Sequence, residues 1–355
     1  MTKPTRKDTI TLVNYAKKEE KMKKQEEKDL VDILLATYNT NLNYLKIQID
    51  SILNQSHRQI HLIISDDCSS DEKVKEVLEE YAQKDNRVTV YLQPQNLGYL
   101  KNFEFLLQQS EAPYVMFCDH DDIWYADKVK KSLGILKGRD VDLVYTDAEQ
   151  IDEQGAILHT SYLSYKNMPQ IEGKDNILAF SRHIAIGCSQ LFTKKIKEQM
   201  LPFSEEMMAH DWLSVYLASK EKGIYCMKEP LFGYRLHNSN VFGGRNLKQN
   251  LKLWKKDNGS GLKSYHAYRQ KAIVDAYLKG AQMCAVYSKK LGRELSKEEQ
   301  DVLDYYQQIE KTKYVNWHIK RYCQYLKFKG IGKRALKEVL LFHFPVLGYM
   351  LFAIM

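Results

Sequence analysis

Asp119, His120 and Asp121 leave an apolar run, Tyr114 to Cys118, in immediate succession. A run of that composition reads as a buried strand, so its two carboxylates emerge together at the strand end instead of being spread around a helix. Clustered carboxylates repel one another unless a cation lies between them. Magnesium or manganese is the natural occupant, because hard divalent cations take oxygen ligands and keep positions open for diphosphate oxygens. Such an ion neutralises charge as a bond to a diphosphate breaks. Asp122 reads as the N-cap of a helix beginning near Trp124. Asp211 opens a further apparent helix, where the positive end of the helix dipole favours an ionised carboxylate.

These groups need a frame. From Val31 onward, short apolar runs at 31–36, 60–65, 88–92 and 114–118 alternate with amphipathic stretches at 45–53, 74–82 and 103–107. Strand and helix in that alternation predict right-handed crossovers and an α/β fold, a mostly parallel sheet with helices on both faces. Ligands bind beyond the C-terminal ends of such strands. In order, those ends carry Thr37-Tyr38-Asn39, then Asp66 to Asp71, then Asn96-Leu97-Gly98, then Asp119 to Asp122. Any one of these groups would serve as a turn or cap, but their succession marks a crevice. A second segment, about 140–244, offers shorter strands at 142–148, 185–192, 223–228 and 231–237 and a helix at 210–220, extending the sheet. Past Gly243-Gly244-Arg245, segments rich in Lys, Tyr and Leu, broken at Asp257 to Gly261, read as consecutive helices. The expected division is a Lys/Glu-rich arm over 1–29, an α/β domain over 30–244 and a helical C-terminal region over 245–355.

The 355 residues, 44% hydrophobic and 28% charged, have the composition of a globular protein. A formal net charge of +8 suits an anionic partner such as a nucleotide or a phospholipid surface. The 24 tyrosines belong to no recognised nucleic-acid module, so no nucleic acid is expected as partner. Cys68, Cys118, Cys188, Cys226, Cys284 and Cys323 form no C-x-x-C pair, which predicts reduced, mostly buried thiols and neither a zinc site nor a disulfide framework. The N-terminal stretch has no apolar segment of secretory-signal length, so a cytoplasmic location is expected. Lys327, Lys329, Lys333, Arg334 and Lys337 precede an apolar run at 339–355, interrupted by His343 and Pro345. That pattern predicts shallow, peripheral contact with the inner face of the cell membrane, with packing against the main domain as the alternative.

Over roughly residues 31–240 the chain resembles glycosyltransferase family 2 of the GT-A fold. The matching segments are ATYN from Ala36, ISDDCSSD from Ile64, NLGYLKN from Asn96, FCDHDDIW from Phe117, GCSQLF from Gly187, HDW from His210 and YRLHNSN from Tyr234. The D-D-I-W and H-D-W elements most resemble bacterial rhamnosyltransferase-type members of cell-surface polysaccharide synthesis. The resemblance implies an inverting, metal-dependent transferase that moves a sugar from a nucleotide diphosphate to a glycan or lipid-linked saccharide. L-rhamnose from dTDP-rhamnose is the first expectation; a UDP-hexose or UDP-N-acetylhexosamine donor is the alternative. Thr37, Tyr38, Asn39, Asn96, Gly98 and His120 are then expected to line the nucleotide-sugar pocket, with Asp66 or Asp67 recognising the base or ribose. Lys101 stands where many relatives carry arginine, a swap that keeps the charge and loses the planar fork. Asp119 is implied to reach the ribose or the metal, Asp121 to ligate the metal, and His237 to approach the metal or diphosphate, with Arg235 nearby. Asp211 matches the catalytic base, and His210 would orient it or line the acceptor site. Gly187, Cys188, Trp212 and Arg235 are implied to face the donor sugar or acceptor. Cys188 has no visible partner base and is not read as a nucleophile.

Rival classes fit less well. A glycoside hydrolase needs carboxylates flanking a sugar and has no use for a D-x-D beside a nucleotide-type crevice. A nucleotidyltransferase would share metal and fold, yet no glycine-rich phosphate loop is present. An inactive binding protein of the same fold is opposed by the presence of Asp119, Asp121 and Asp211 together.

Overall fold

The computed structural model describes residues 28–166, 168–237 and 247–311, together with residues 350 and 352. The N-terminal arm and most of the apolar run at 339–355 lie outside the described residues. The first half builds as its periodicity requires. β1 (Val31–Thr37), β2 (Ile60–Asp66), β3 (Val88–Leu92) and β4 (Tyr114–Cys118) alternate with α1 (Leu42–Leu53), α2 (Glu72–Lys84) and α3 (Tyr99–Gln109). Asn41 and Asp71 cap α1 and α2 with side-chain oxygens, which satisfies N–H groups the first turn cannot. Consecutive residues of β1, β2 and β4 are buried, so both faces of the sheet are covered, as parallel strands require.

Among the described residues the sheet has nine strands in the order β3-β2-β1-β4-β8-β6-β9-β5, with β7 added against β6. β5 is Ile123–Trp124, β6 is Leu143–Ile151, β7 is Ile157–His159, β8 is Gln190–Thr193 and β9 is Ile224–Arg235. β1, β2, β3 and β4 pair in parallel, β8 runs against both β4 and β6, and β6 and β9 are parallel again. The mostly parallel sheet thus carries three reversed strands, β8 inside it, β5 against β9 and β7 against β6. Helices α4 (Lys128–Arg139), α5 (Tyr162–Lys166), α6 (Ile177–Ser181), α7 (Lys194–Met200) and α8 (His210–Ser219) complete this part.

Three local expectations are corrected. The runs at 223–228 and 231–237 form the single strand β9; Pro230, which cannot donate to the ladder, sits at a register shift against Asp147 instead of ending the strand. The run at 185–192 is strand only from Gln190, because Gly187–Ser189 turns as a 3-10 helix. No helix starts near Trp124; Ile123 and Trp124 pair with Gly233 and Phe232, and α4 begins at Lys128.

The C-terminal region is helical: α9 (Leu247–Asn258), α10 (Leu262–Ile273), a π turn at Val274–Leu278, α11 (Lys279–Lys290) and α12 (Lys297–Lys311). It shares a core with α6 and α8. The Tyr306 hydroxyl donates to the Ser181 carbonyl at 3.1 Å, and the Tyr216 and Ser288 hydroxyls meet at 2.7 Å. Phe352 is fully buried, its ring 5.5 Å from Tyr265 and 6.1 Å from Tyr268. At that residue the apolar run packs on protein. Among the described residues no helix is long and apolar enough to cross a membrane.

Candidate active site

Sheet register aligns the strand ends. Thr37 pairs with Asp66 and Leu35 with Cys118, so the loops after β1, β2 and β4 open side by side. Hydrogen bonds then tie the loops together. The Asn39 N–H donates to Ser69 Oγ at 2.8 Å, and Asn39 Oδ1 accepts from the Ser70 N–H at 2.9 Å. Asp67 accepts from the N–H groups of Leu97 and Gly98 at 2.6 and 2.9 Å, while the Asn96 amide donates to the Asp67 carbonyl. Asp66 accepts from the N–H and hydroxyl of Ser69. Carboxylates used this way set loop geometry before any ligand arrives. Asp66 and Asp67 are both buried, and each has both carboxylate oxygens engaged in holding these loops. Tyr38 and Tyr99 stand exposed at this edge, and Lys101 pairs with Glu104 at 2.6 Å.

The acidic cluster follows β4. β5 carries the chain to β9, and this pairing returns Arg235 and His237 to the cluster. His237 Nε2 lies 2.7 Å from Asp121 Oδ2. His120 Nδ1 lies 3.4 Å from the Ala36 carbonyl, against the end of β1. Arg235 is buried, donating from its backbone N–H to Asp122 Oδ1 at 3.1 Å and from its guanidinium to the carbonyls of Asp121, Asp152 and Glu153. That clamps the loop to β9 and corrects the expectation of a sugar contact for Arg235. Asp122 is a buried member of the cluster and not a helix cap.

Electrostatics separate the three aspartates. Burial, then the neighbouring Asp121 carboxylate, push Asp119 up to about 6. Burial also opposes ionisation of Asp121, yet the His237 hydrogen bond and the His120 and His237 charges hold it below the usual carboxylate range. Burial with Asp121 and Asp119 holds Asp122 well above that range. Ligand atoms of Asp119, Asp122 and Cys188 lie within 4.8 Å of one another. Lys128 lies beneath them, fully buried, with its ammonium 3.7 and 4.0 Å from the ring centroids of Phe232 and Trp124 and donating to the Cys188 carbonyl. Burial lowers that ammonium to about 8. The inner part of the cluster therefore already has a protein cation beside it, while Asp119 and Asp121 are the mutually repelling pair the sequence singled out. The oxygen donors of Asp119 and Asp121, held side by side with an imidazole against them, fit a hard divalent cation.

Asp211 lies in the first turn of α8, held by the Gln190 amide and Ser214 hydroxyl on its carbonyl at 2.8 and 3.0 Å. Its carboxylate Oδ2 is 2.8 Å from His183 Nε2. Burial raises the Asp211 pKa, but the His183 charge and hydrogen bond outweigh it and bring the group down to about 2. The Asp211 charge reaches across the crevice and contributes to the rise at Asp119. His210 is packed between Phe103 and Phe117 at ring distances of 4.2 and 4.5 Å, and burial lowers it to about 4, so it is a neutral wall. A Cβ on Gly187 would lie 3.3 Å from His210 Nε2 and 3.5 Å from Asp211 Cβ, so the glycine keeps the approach to the base open. Burial raises the Cys188 thiol well above its ordinary value.

Trp212 departs from expectation. It is fully buried, donating its indole N–H to the Ala179 carbonyl at 2.7 Å, and belongs to the core rather than to a sugar site. Successive helix residues point about 100° apart, so Asp211 and Trp212 cannot share a face. Two neighbours were missed by the sequence reading, His183 and Lys128. Each reaches its partner only through tertiary folding, and no local spacing marks it.

Strand-end carboxylates and a nearby ionised aspartate thus face one crevice of an α/β frame. The family model described as glycosyl transferase family 2 matches residues 32–201 of this chain. An uncharacterized glycosyltransferase of Methanocaldococcus jannaschii is 28% identical over 229 residues, 63% of this chain and 77% of the relative. TuaG of Bacillus subtilis, named for teichuronic acid biosynthesis, is 28% identical over 216 residues, 60% of this chain and 82% of the relative. The crystal structure of S. aureus TarS 1-349 in complex with UDP-GlcNAc is similar at 16% identity and a TM-score of 0.49, covering 91% of this chain and 89% of that one.

Proposed function

We propose that the protein is an inverting glycosyltransferase that moves a sugar from a nucleotide diphosphate to a cell-surface polysaccharide or lipid-linked glycan. The observation that carries this reading is the pairing, across one crevice, of the Asp119/Asp121 carboxylates with an ionised Asp211. The name of the B. subtilis relative supports a cell-surface polysaccharide as the product. dTDP-L-rhamnose is the first donor to test, and UDP-hexoses and UDP-N-acetylhexosamines are the second.

Thr37, Asn39 and the 96–98 turn form the floor against which the nucleotide lies, with Tyr38 exposed above it. Asp119, Asp121 and His237 are the residues that would hold Mn2+ or Mg2+, which supplies charge neutralisation to the departing diphosphate. Asp211 takes the proton of the acceptor hydroxyl as that oxygen attacks the anomeric carbon. The new glycosidic bond forms on the face opposite the leaving group, and the electron pair of the broken bond leaves with the diphosphate. The location proposed is cytoplasmic and peripheral to the membrane. Equal membrane retention in cell fractions of a chain truncated before Ile331 would remove the C-terminal anchor from this account.

Asp211→Asn tests the base. It is expected to bind donor as the native protein does and to lose about 10²–10⁴-fold in kcat, the range general bases supply. Native turnover by this variant would remove the assignment.

A further inference from the structure

We infer that His183 is the positioning residue for Asp211: its Nε2–H holds carboxylate Oδ2, so that Oδ1 is the oxygen presented to the acceptor hydroxyl. This rests on the proposed role of Asp211 as base. His183 comes from the loop between α6 and Gly187, so the contact ties that loop to α8 alongside the Trp212–Ala179 hydrogen bond. At 2.8 Å, with an ionised carboxylate as acceptor, Nε2 must be the protonated nitrogen. The ring is itself placed by the Trp212 indole, 6.4 Å away in an edge-on arrangement. A buried carboxylate with one oxygen fixed has a single orientation left for the other. The side chains of His183 and Asp211 are 33% and 17% exposed, so the pair opens on the crevice while lying mostly out of water.

The charged and titratable groups that face the pair are few. Burial opposes protonation of His183, as does Arg182 beside it on the same loop; the Asp211 charge and hydrogen bond favour it and prevail. His210 faces Asp211 from α8, and Tyr99 and Asp119 feel the Asp211 charge from α3 and the β4 end. Of these, His183 alone combines opposite charge with a direct hydrogen bond to the carboxylate. Without it, only the Trp212 backbone N–H and His210 still oppose the effect of burial on Asp211, and the acid limb of catalysis must move to higher pH.

The experiment measures kcat and kcat/KM against pH for the native enzyme, His183→Gln, His183→Ala and Asp211→Asn, with manganese and donor saturating. Donor-induced thermal stabilisation is recorded for each variant to show that the fold and the donor pocket persist. His183→Ala is expected to lose about ten- to hundredfold in kcat with unchanged donor KM, and to show an acid limb about one pH unit or more above the native one. His183→Gln, which keeps an amide donor without the charge, is expected to recover at least about tenfold of that loss and to place its limb between the other two. A His183→Ala profile that overlays the native one overturns the inference, as does Gln that rescues nothing. Asp211→Asn separates the two ideas. Its inactivity together with a native His183→Ala profile sinks only the positioning role, whereas its full activity sinks the base on which that role rests.

Discussion

Gly280→Ala links the helical C-terminal region to the catalytic aspartate. Gly280 lies inside α11, where replacing glycine by alanine in an unobstructed helix stabilises by about 0.8–1 kcal/mol. Here the added Cβ would fall 2.0, 2.1 and 2.6 Å from three ring carbons of Trp212, against an ordinary carbon contact of about 3.5–4.0 Å. The ring or the helix must retreat by about 1.5 Å. The indole cannot slide freely, because its N–H is bonded to the Ala179 carbonyl at 2.7 Å. Overpacking costs about 1–3 kcal/mol and loss of a buried hydrogen bond about as much again, so the propensity gain is outweighed. Thermal unfolding should show Tm lower by at least about 2 °C. Because Trp212 follows Asp211 directly, a shift of the ring displaces the base, and kcat should fall by about tenfold or more with donor binding retained. Differential scanning fluorimetry and a transfer assay check both. A Tm higher than the native value, the result helix propensity alone gives, would refute the contact and the coupling built on it.

Glu221, which accepts from Gln199 and pairs with Lys195 and Arg293, ties the end of α8 to the segment after α11. Burial opposes its ionisation, but those partners bring it down to about 2 from an ordinary 4.5, so its contribution to stability is full above pH 4.5 and lost as pH falls towards 2. The Tm gap between native protein and Glu221→Gln should therefore be open at pH 6 and close progressively below about pH 4.5; a gap that stays constant to pH 3 would contradict the ion-pair account. Cysteine alkylation of the native protein at pH 7.5 should label the half-buried Cys68 well before Cys118, Cys188, Cys226 or Cys284, which are buried. Early labelling of Cys188, read by mass spectrometry, would place that thiol in the crevice and reopen its role.

The β1 to β4 half was legible because its apolar runs have strand length and its intervening stretches carry helical periodicity. The strand ends, and with them the acidic cluster, followed from the parallel topology. β9 was not legible as one strand, since Lys228, Glu229 and Pro230 interrupt the apolar pattern at the register shift. The separate surroundings of the H-D-W residues were not legible, since the helix turns His210, Asp211 and Trp212 towards an aromatic wall, the crevice and the core respectively. His183 stands 28 residues from Asp211, and Lys128 is 60 residues from Cys188, so neither contact has a local signature.

The most direct test of the account is calorimetric titration of dTDP and UDP into the native protein and Asp121→Ala, each with and without manganese. The native protein should bind one of these nucleotides tightly only when manganese is present, and the alanine variant should lose that dependence along with most of the affinity. Binding by the native protein that is indifferent to manganese, or manganese-dependent binding that survives in Asp121→Ala, would contradict it.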